Sequence, residues 1–140
     1  MPATLASAEP RRARGRPRRL TPEAVLDAAL TLFEDEPAAE FTLGRLARRL
    51  GVPITSLYTC FPNRDALLDA AADRVFARFD WRPEPRAPWT EVLLSWMHAV
   101  QRHFERYPIA QQLLSWDRRI SPAWLRVLAP IITLLHAQGL

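Results

Sequence analysis

The chain has 140 residues, 49% of them apolar, which is enough to bury one ordinary core or two small helical lobes that share a connecting helix. Its single cysteine, Cys60, excludes an internal disulfide and favours a reducing, cytoplasmic location, and no apolar run approaches the roughly 20 residues of a membrane span. The net charge of +4 is uneven: residues 1–20 carry six arginines against one glutamate, whereas residues 21–80 carry six arginines against ten acids.

Residues 1–19 lack hydrophobic periodicity and are predicted to form a disordered basic arm. Concentrated arginine ahead of a folded segment is typical of chains that contact nucleic-acid phosphates. Within the arm, the run Arg14-Gly15-Arg16-Pro17-Arg18 resembles the core of an AT-hook, an extended segment that lies in the narrow minor groove of A·T sequences. The alternative is a solvated tail whose arginines make only non-specific phosphate contacts.

The first helix is predicted from Pro22 to Asp35. Thr21 can cap its first turn, and proline at the first helical position costs nothing because that N–H has no partner in the helix. Pro37 ends it. Its apolar residues recur at helical spacing and are expected to face the core: Val25, Ala28, Ala29, Leu32 and Phe33.

Two short helices follow, at about residues 42–61. Thr42 is a good N-cap for the first, and Gly51 stands where a left-handed C-cap residue is wanted. Leu57 is the buried side chain of the second, and Asn63 can cap the helix after it. Two short helices joined by a glycine-containing turn form a helix-turn-helix, which presents its second helix to the major groove of DNA.

A longer helix is predicted from Arg64 to about Phe79, after which three prolines within six residues mark a domain boundary near residue 80. No repeat or strand signal appears, so the predicted fold is all-α. The remaining helices are expected from Trp89 to about Arg106, from Tyr107-Pro108 to Trp116, and from Ser121-Pro122 to a stop at Gly139. The last of them is expected to kink or break at Pro130. Its predicted apolar stripe consists of Trp124, Leu125, Leu128, Ile131 and Leu135.

Over about residues 20–80 the sequence resembles the TetR family of transcriptional regulators. The match is carried by turn, aromatic and cap residues at the family's offsets: Thr42, Leu46-Ala47, Gly51-Val52, Leu57-Tyr58, Phe61-Pro62 and Asn63-Arg64-Asp65-Ala66-Leu67. The resemblance implies a three-helix DNA-binding lobe (residues 20–80), which we call the first lobe, and a helical effector-binding lobe (residues 81–140), the second lobe. It also implies that the second lobe is truncated before two further helices that form the family's dimer interface.

The resemblance further implies which residues contact DNA. Ile54 can touch a thymine methyl, whereas Ser56 and Thr59 can bond to either base type. Tyr58 can reach a phosphate, and Arg64 can clamp one beside the N–H groups of a helix start. The candidate DNA-binding residues are Thr42, Gly44, Arg45, Pro53, Ile54, Thr55, Ser56, Tyr58, Thr59 and Arg64, with Arg14, Arg16 and Arg18 of the arm.

Three positions depart from the family pattern. Gly44 stands where some relatives carry a guanine-reading arginine, Cys60 replaces a common histidine, and Pro53 replaces a typical capping serine. With few polar groups left to read bases, recognition is expected to depend partly on the arm or on DNA shape. The alternative is that this face is only solvated surface.

The second lobe is rich in aromatic residues, which at helical spacing most often form core. By the resemblance, they also enclose an apolar effector cavity with few polar groups. The candidate ligand-binding residues are Trp96, Val100, Phe104, Leu113, Trp116 and Trp124. His98, Gln101 and His103 are possible orienting groups, and each is predicted to be exposed.

Catalysis finds no support, because the chain has no phosphate-binding glycine loop, nucleophile motif or metal-ligand spacing. No enzyme activity, metal or cofactor is therefore expected. The expected function is sequence-specific DNA binding that represses transcription and is relieved by a small apolar or amphipathic ligand. The expected partners are a palindromic double-stranded operator and a second copy of the chain, if the full-length protein has the further helices, with no membrane partner.

Two alternatives remain open at this stage. One is an architectural or competitor DNA-binding protein without an effector, whose second lobe would be fully packed. The other is a protein-interaction module without a DNA role, which would remain a monomer and ignore DNA at moderate salt.

Overall fold

The computed structural model describes residues 20–140, so the predicted arm, with Arg14, Arg16 and Arg18, lies outside the described residues. Seven α-helices dominate this part of the chain, and the all-α prediction is confirmed: α1 (Pro22–Asp35), α2 (Leu43–Leu50), α3 (Ile54–Tyr58), α4 (Arg64–Phe76), α5 (Trp89–Arg106), α6 (Ile109–Gln112) and α7 (Pro122–Ala137). A 3₁₀-helix (Ala38–Glu40) precedes α2. The prolines after residue 80 lie in a segment without helix or strand, as expected.

A small antiparallel hairpin, β1 (Ser115–Trp116) and β2 (Arg119–Ile120), was not predicted. It replaces the second half of the short helix expected to reach Trp116, because α6 ends at Gln112. The two turn residues, Asp117 and Arg118, both have positive φ angles of 49° and 64°. Such a turn reverses the chain in two residues and brings the hairpin back to the start of α7.

Local caps fix the helices of the first lobe at their predicted ends. The Thr21 and Thr42 hydroxyls each accept a backbone N–H bond at 3.1 Å, and the Asn63 side chain accepts one at 2.8 Å. Gly51 ends α2 with φ 66°, the left-handed conformation that glycine adopts without steric cost. These bonds satisfy N–H and C=O groups that the helices themselves leave free.

Helix α4 is the element that both lobes share. It packs against α1 on one side and against α6 and α7 on another. Its buried residues therefore belong to one continuous core that runs from α1 to α7: Leu67, Leu68, Ala71, Ala72, Val75 and Phe76. A displacement of α4 would consequently be felt in both lobes.

The buried face of α7 differs from the predicted stripe. Ala123, Val127 and Ile131 face the core at four-residue spacing, whereas Leu125 is 45% exposed. The face is rotated because α7 packs along α4, where small and β-branched side chains allow a close approach. Pro130 lies within α7 without breaking the helix.

Within residues 20–140, no helix combines the length and apolar character that crossing a bilayer requires. The same residues bring no three potential metal-binding side chains into one group.

Candidate nucleic-acid interface and apolar cavity

Helix α3 has one anchored side and one open side. Leu57 is completely buried, while Ile54 and Tyr58 are 39% and 47% exposed. Thr55 is also exposed, and Ser56 is half-buried. Because a five-residue helix buries one large side chain, the remaining side chains are left at the surface, as a reading helix requires.

The hydroxyls beside α3 already make local bonds. Thr59 Oγ1 donates to Ser56 O at 2.7 Å, which closes the end of the helix. Thr42 Oγ1 accepts the Arg45 N–H, so its own hydrogen is still available to a phosphate oxygen. Pro53 precedes α3 without any side-chain cap, as its replacement of a capping serine implies.

Two of the three arginines of α2 face acids of their own lobe. Arg45 Nη1 lies 2.8 Å from Glu36 Oε2, and Arg49 Nη2 lies 3.0 Å from Asp35 Oδ2. Gly44 has open space beside it, because a Cβ there would meet only Thr42 Oγ1, at 3.9 Å. Packing would therefore allow a larger side chain at position 44, including the arginine that some relatives carry there.

Arg64, predicted to clamp a phosphate, is turned toward the protein. Its Nε donates to Phe41 O at 2.7 Å, and its Nη2 donates to Ala38 O at 3.2 Å and to Ala39 O at 3.4 Å. Its Nη1 donates to Asp117 Oδ2 at 2.8 Å, and the side chain is only 24% exposed. Four of its five N–H groups are thus bonded to the protein, and a phosphate could bind the second N–H of Nη1 or replace Asp117 at the first.

A row of acids on α4 faces the second lobe. Asp65, Asp69 and Asp73 repeat every four residues, so they share one face of the helix. Arg119 Nη2 lies 3.0 Å from Asp69 Oδ2, and Arg126 pairs with Asp73. The spacing of these acids is visible in the sequence, although it does not identify their partners.

An open cavity of about 820 Å³ lies beside α5 and α7 in the second lobe. Four of the predicted ligand-binding residues line it: Trp96, Val100, Phe104 and Trp124. The Trp124 ring centroid lies 6.3 Å from that of Trp96 and 5.8 Å from that of Phe104, which gives the cavity an aromatic wall. The polar lining residues are His98, Gln101, Glu105 and Gln111.

The other two predicted ligand-binding residues lie elsewhere. Leu113 is fully buried in the core. Trp116 lines a different cavity of about 600 Å³, beside the end of α1, and its Nε1 donates to Asp65 Oδ1 at 3.1 Å. The hairpin carries Trp116 toward α4, and this turn of the chain separates it from Trp96 and Phe104.

His103, predicted to be exposed, is buried at 6% exposure. The rings of Phe76, Phe79, Phe104 and Tyr107 surround it at centroid distances from 5.1 to 6.2 Å. Burial lowers the pKa of His103, because the charged imidazolium is poorly solvated there. Its Nε2 has no hydrogen-bond partner within the described part of the chain. His103, on α5, thus packs in its neutral form against Phe76 of α4.

The burial of His103 predicts an acid-sensitive fold. The folded state has the lower pKa, so the unfolded state takes up the proton more readily, and stability present above pH 6.5 is lost as pH falls through the folded pKa. We expect His103→Phe to flatten the decline in the free energy of unfolding between pH 7.5 and pH 5, measured by urea titration. His136→Gln, at an exposed histidine, is the control. Identical pH dependence of wild type and His103→Phe would contradict this expectation.

Comparison with known proteins identifies the first lobe. Residues 25–78 match the family model described as bacterial regulatory proteins, tetR family. The class A tetracycline repressor from transposon 1721 of Escherichia coli is 38% identical over 115 residues, covering 73% of this chain and 53% of the repressor. A transcriptional regulator of helix-turn-helix type from Saccharopolyspora erythraea is 29% identical over 96 residues, covering 69% of this chain and 41% of the relative.

Solved structures give the same answer for the fold. ActR of Streptomyces coelicolor, a TetR family protein in complex with actinorhodin, superposes with a TM-score of 0.63 at 27% identity, covering 88% of this chain and 58% of ActR. TetR from Acinetobacter baumannii superposes with a TM-score of 0.59 at 27% identity, covering 86% of this chain and 63% of that protein. The chain thus spans about half the length of the curated relatives it matches. Residues 25–78 are thus a helix-turn-helix segment of the tetR type, and the chain is similar in sequence and fold to bacterial TetR family proteins.

Proposed function

We propose that this protein binds a specific DNA operator through α3, represses transcription there, and is released by a small apolar or amphipathic ligand. The observation that carries the proposal is the open face of α3, held on the first lobe by buried Leu57. An exposed short helix anchored on one side fits the major groove, which is wide enough for an α-helix.

Base reading is assigned to Ile54, Thr55 and Ser56, and phosphate contact to Tyr58 and Thr42. Ile54 presents methyl groups suited to a thymine methyl, and the hydroxyls can bond to base edges. Tyr58, the most exposed of the α3 aromatic and apolar residues, has the reach for a backbone oxygen. Phosphate contacts orient a protein on DNA, whereas base contacts give it sequence preference.

The division of labour on α3 is tested by single substitutions. We expect Tyr58→Ala to weaken binding several-fold on both a selected duplex and a scrambled one. Thr55→Ala and Ser56→Ala should mainly weaken binding to the selected duplex, because a good base contact favours the correct base over a wrong one by about 1–3 kcal/mol. Dissociation constants measured on both duplexes show which side chains contact bases and which contact phosphates. Equal losses for all three variants on both duplexes would show that α3 is oriented differently.

The cavity supports the ligand-responsive form of the proposal. ActR and the Acinetobacter baumannii protein have structures with actinorhodin and minocycline, respectively, the latter in a single-residue variant of that protein. In this chain the aromatic wall of Trp96, Phe104 and Trp124 would stack on a flat apolar ligand. Gln101 donates to Glu105 Oε1 at 3.0 Å along the rim, where a ligand with a hydrogen-bond donor would find an acceptor.

A route from the cavity to DNA runs through α4. Trp124 packs on Phe76 of α4, with 5.5 Å between ring centroids, so a ligand that moves Trp124 acts on the helix that carries the first lobe. A ligand shifts such an equilibrium only by its difference in affinity for the two arrangements. In a homodimer, a shift of α4 would change the separation of two α3 helices, which must match about 34–36 Å of duplex.

Ligand coupling is tested with a half-buried wall residue. Trp96 is unsuitable for truncation, because it is only 9% exposed and its Nε1 donates to Val127 O at 3.3 Å. A panel of planar aromatic compounds should quench tryptophan fluorescence and lower DNA affinity together, since linked sites act reciprocally. We expect Phe104→Ala to reduce both responses at least several-fold while it keeps basal DNA binding. Ile120→Ala, the control outside the cavity, should keep both the responses and the binding.

The effector-independent alternative predicts a second lobe without a cavity. An architectural or competitor protein would have a fully packed second lobe, and the cavity of about 820 Å³ favours the ligand-responsive form instead. Compounds that bind without changing DNA affinity would restore the alternative.

A further inference from the structure

One side chain of the second lobe reaches the predicted phosphate-contacting arginine of the first. Asp117 Oδ2 accepts from Arg64 Nη1 at 2.8 Å. Nε and Nη2 of Arg64 donate to the carbonyls of Ala38, Ala39 and Phe41 along and just after the 3₁₀-helix. These carbonyl bonds fix the guanidinium at the start of α4, while the Asp117 bond can be exchanged without releasing it.

The turn that carries Asp117 is built only in part from the residues such turns favour, because aspartate suits the first turn position but arginine stands where glycine is preferred at the second. Asp117 and Arg118 have φ angles of 49° and 64°, in the left-handed region where asparagine and glycine are preferred in two-residue hairpins. Asparagine or glycine would also suit the position of Asp117, so the turn itself does not require a carboxylate there. The Asp117 side chain is 73% exposed and that of Arg64 is 24% exposed, so the pair lies at the surface and an anion that displaces Asp117 can reach the guanidinium.

We propose that Asp117 is an internal competitor for DNA: its carboxylate takes the place of a backbone phosphate at Nη1 of Arg64. This inference rests on the proposed function, and it adds Arg64 to Tyr58 and Thr42 as a residue that contacts a phosphate in the DNA complex. Carboxylate and phosphate oxygens are bound by guanidinium through the same charge-assisted bonds. In the DNA complex a phosphate oxygen replaces the Asp117 carboxylate at Nη1 of Arg64. Until then, the Asp117 carboxylate also repels the incoming phosphate.

The competition gives the second lobe direct control over DNA affinity. Asp117 lies in the hairpin between β1 and β2, which Arg119 and Trp116 hold to α4 through Asp69 and Asp65. A hairpin that holds Asp117 against Arg64 lowers affinity, and one that withdraws Asp117 raises it. This effect is local, and it does not need a change in the separation of two α3 helices.

Asp117→Asn tests the competition while keeping the hairpin, because asparagine, like aspartate, adopts the left-handed conformation. In the full chain, we expect the dissociation constant for a duplex of about 20 base pairs to fall about three- to tenfold at low salt. The log–log salt slope should steepen by about 0.9, the increment for one further phosphate neutralised on duplex DNA. Asp73→Asn is the matched control, since Asp73 pairs with Arg126 across the lobes and does not contact Arg64.

A double-mutant cycle with Arg64→Ala shows whether Asp117 acts through Arg64. The proposal expects the gain from Asp117→Asn to disappear in the Arg64→Ala background, with melting curves confirming that each variant is folded. Unchanged or weaker binding by Asp117→Asn overturns it, and so does a gain that persists without Arg64, which would indicate general charge repulsion. If the wild-type chain binds no duplex, both the proposed function and this inference fall. If it binds and only the cycle fails, the proposed function stands.

Discussion

Deleting residues 1–19 is expected to reduce DNA affinity by at least about tenfold at moderate salt and to flatten the log–log salt slope by up to about five units. The arm carries six arginines, and each phosphate neutralised adds about −0.9 to the slope. The first lobe offers little replacement, because residues 21–80 have more acids than arginines, and Arg45 and Arg49 already face acids. Fluorescence anisotropy from about 0.05 to 0.3 M salt measures the slope, and an unchanged slope would show that the arm does not touch DNA.

Two matched variants separate the roles proposed for the arm. One replaces Arg14, Arg16 and Arg18 by glutamine, and the other replaces Arg11, Arg12 and Arg19, so each removes three charges. If the arm works as an AT-hook, only the first variant loses preference for A·T-rich duplexes, because minor-groove reading depends on groove width as well as charge. If the arm is a solvated tail, the two variants bind equally weakly on every sequence.

Leu57→Ala is expected to lower the free energy of unfolding by about 3 kcal/mol and to abolish sequence-specific DNA binding. The Leu57 side chain has 0% of its surface accessible to solvent, and it is the buried anchor of α3. A five-residue helix is too short to persist alone, so its position depends on this contact. A loss of about 3 kcal/mol is a large part of the roughly 5–15 kcal/mol by which domains are usually stable.

Ile54→Ala is the matched control for Leu57→Ala. Both variants shorten an aliphatic side chain on the same helix, but Ile54 is 39% exposed. The unfolding free energy of Ile54→Ala should stay within about 0.5 kcal/mol of the wild-type value, as for most surface substitutions. Urea titration gives both values, and a Leu57→Ala midpoint equal to that of wild type would contradict the packing argument.

The features that the sequence predicts well are those governed by local bonds. The ends of α1 and α2 follow from Thr21, Thr42 and Gly51, whose capping chemistry acts within a few residues. The same applies to the start of α4 at Asn63. A helix-turn-helix can accordingly be predicted from a single chain, because each of its boundaries carries its own signal.

The features that were missed depend on partners far along the chain. Arg64 faces Asp117 across 53 residues of sequence, and no local pattern identifies that pair. His103 is a polar residue on a helix, and its burial follows from aromatic rings supplied by α4 and α5 together. The hairpin has strands of two residues and a turn without asparagine or glycine, so it lacks the usual hairpin signal. Tertiary contacts decide all three.

The central claim is that α3 reads a DNA sequence, and it is tested most directly by selection from a random pool of duplexes. The full chain, retained with its bound DNA at moderate salt, should enrich one sequence family with two-fold symmetric half-sites. That family should bind at least about 10³-fold more tightly than a scrambled duplex, the lower range for specific DNA-binding proteins. Failure to enrich any sequence, with equal affinity for all duplexes, would contradict the claim and leave only non-specific attraction by the arm.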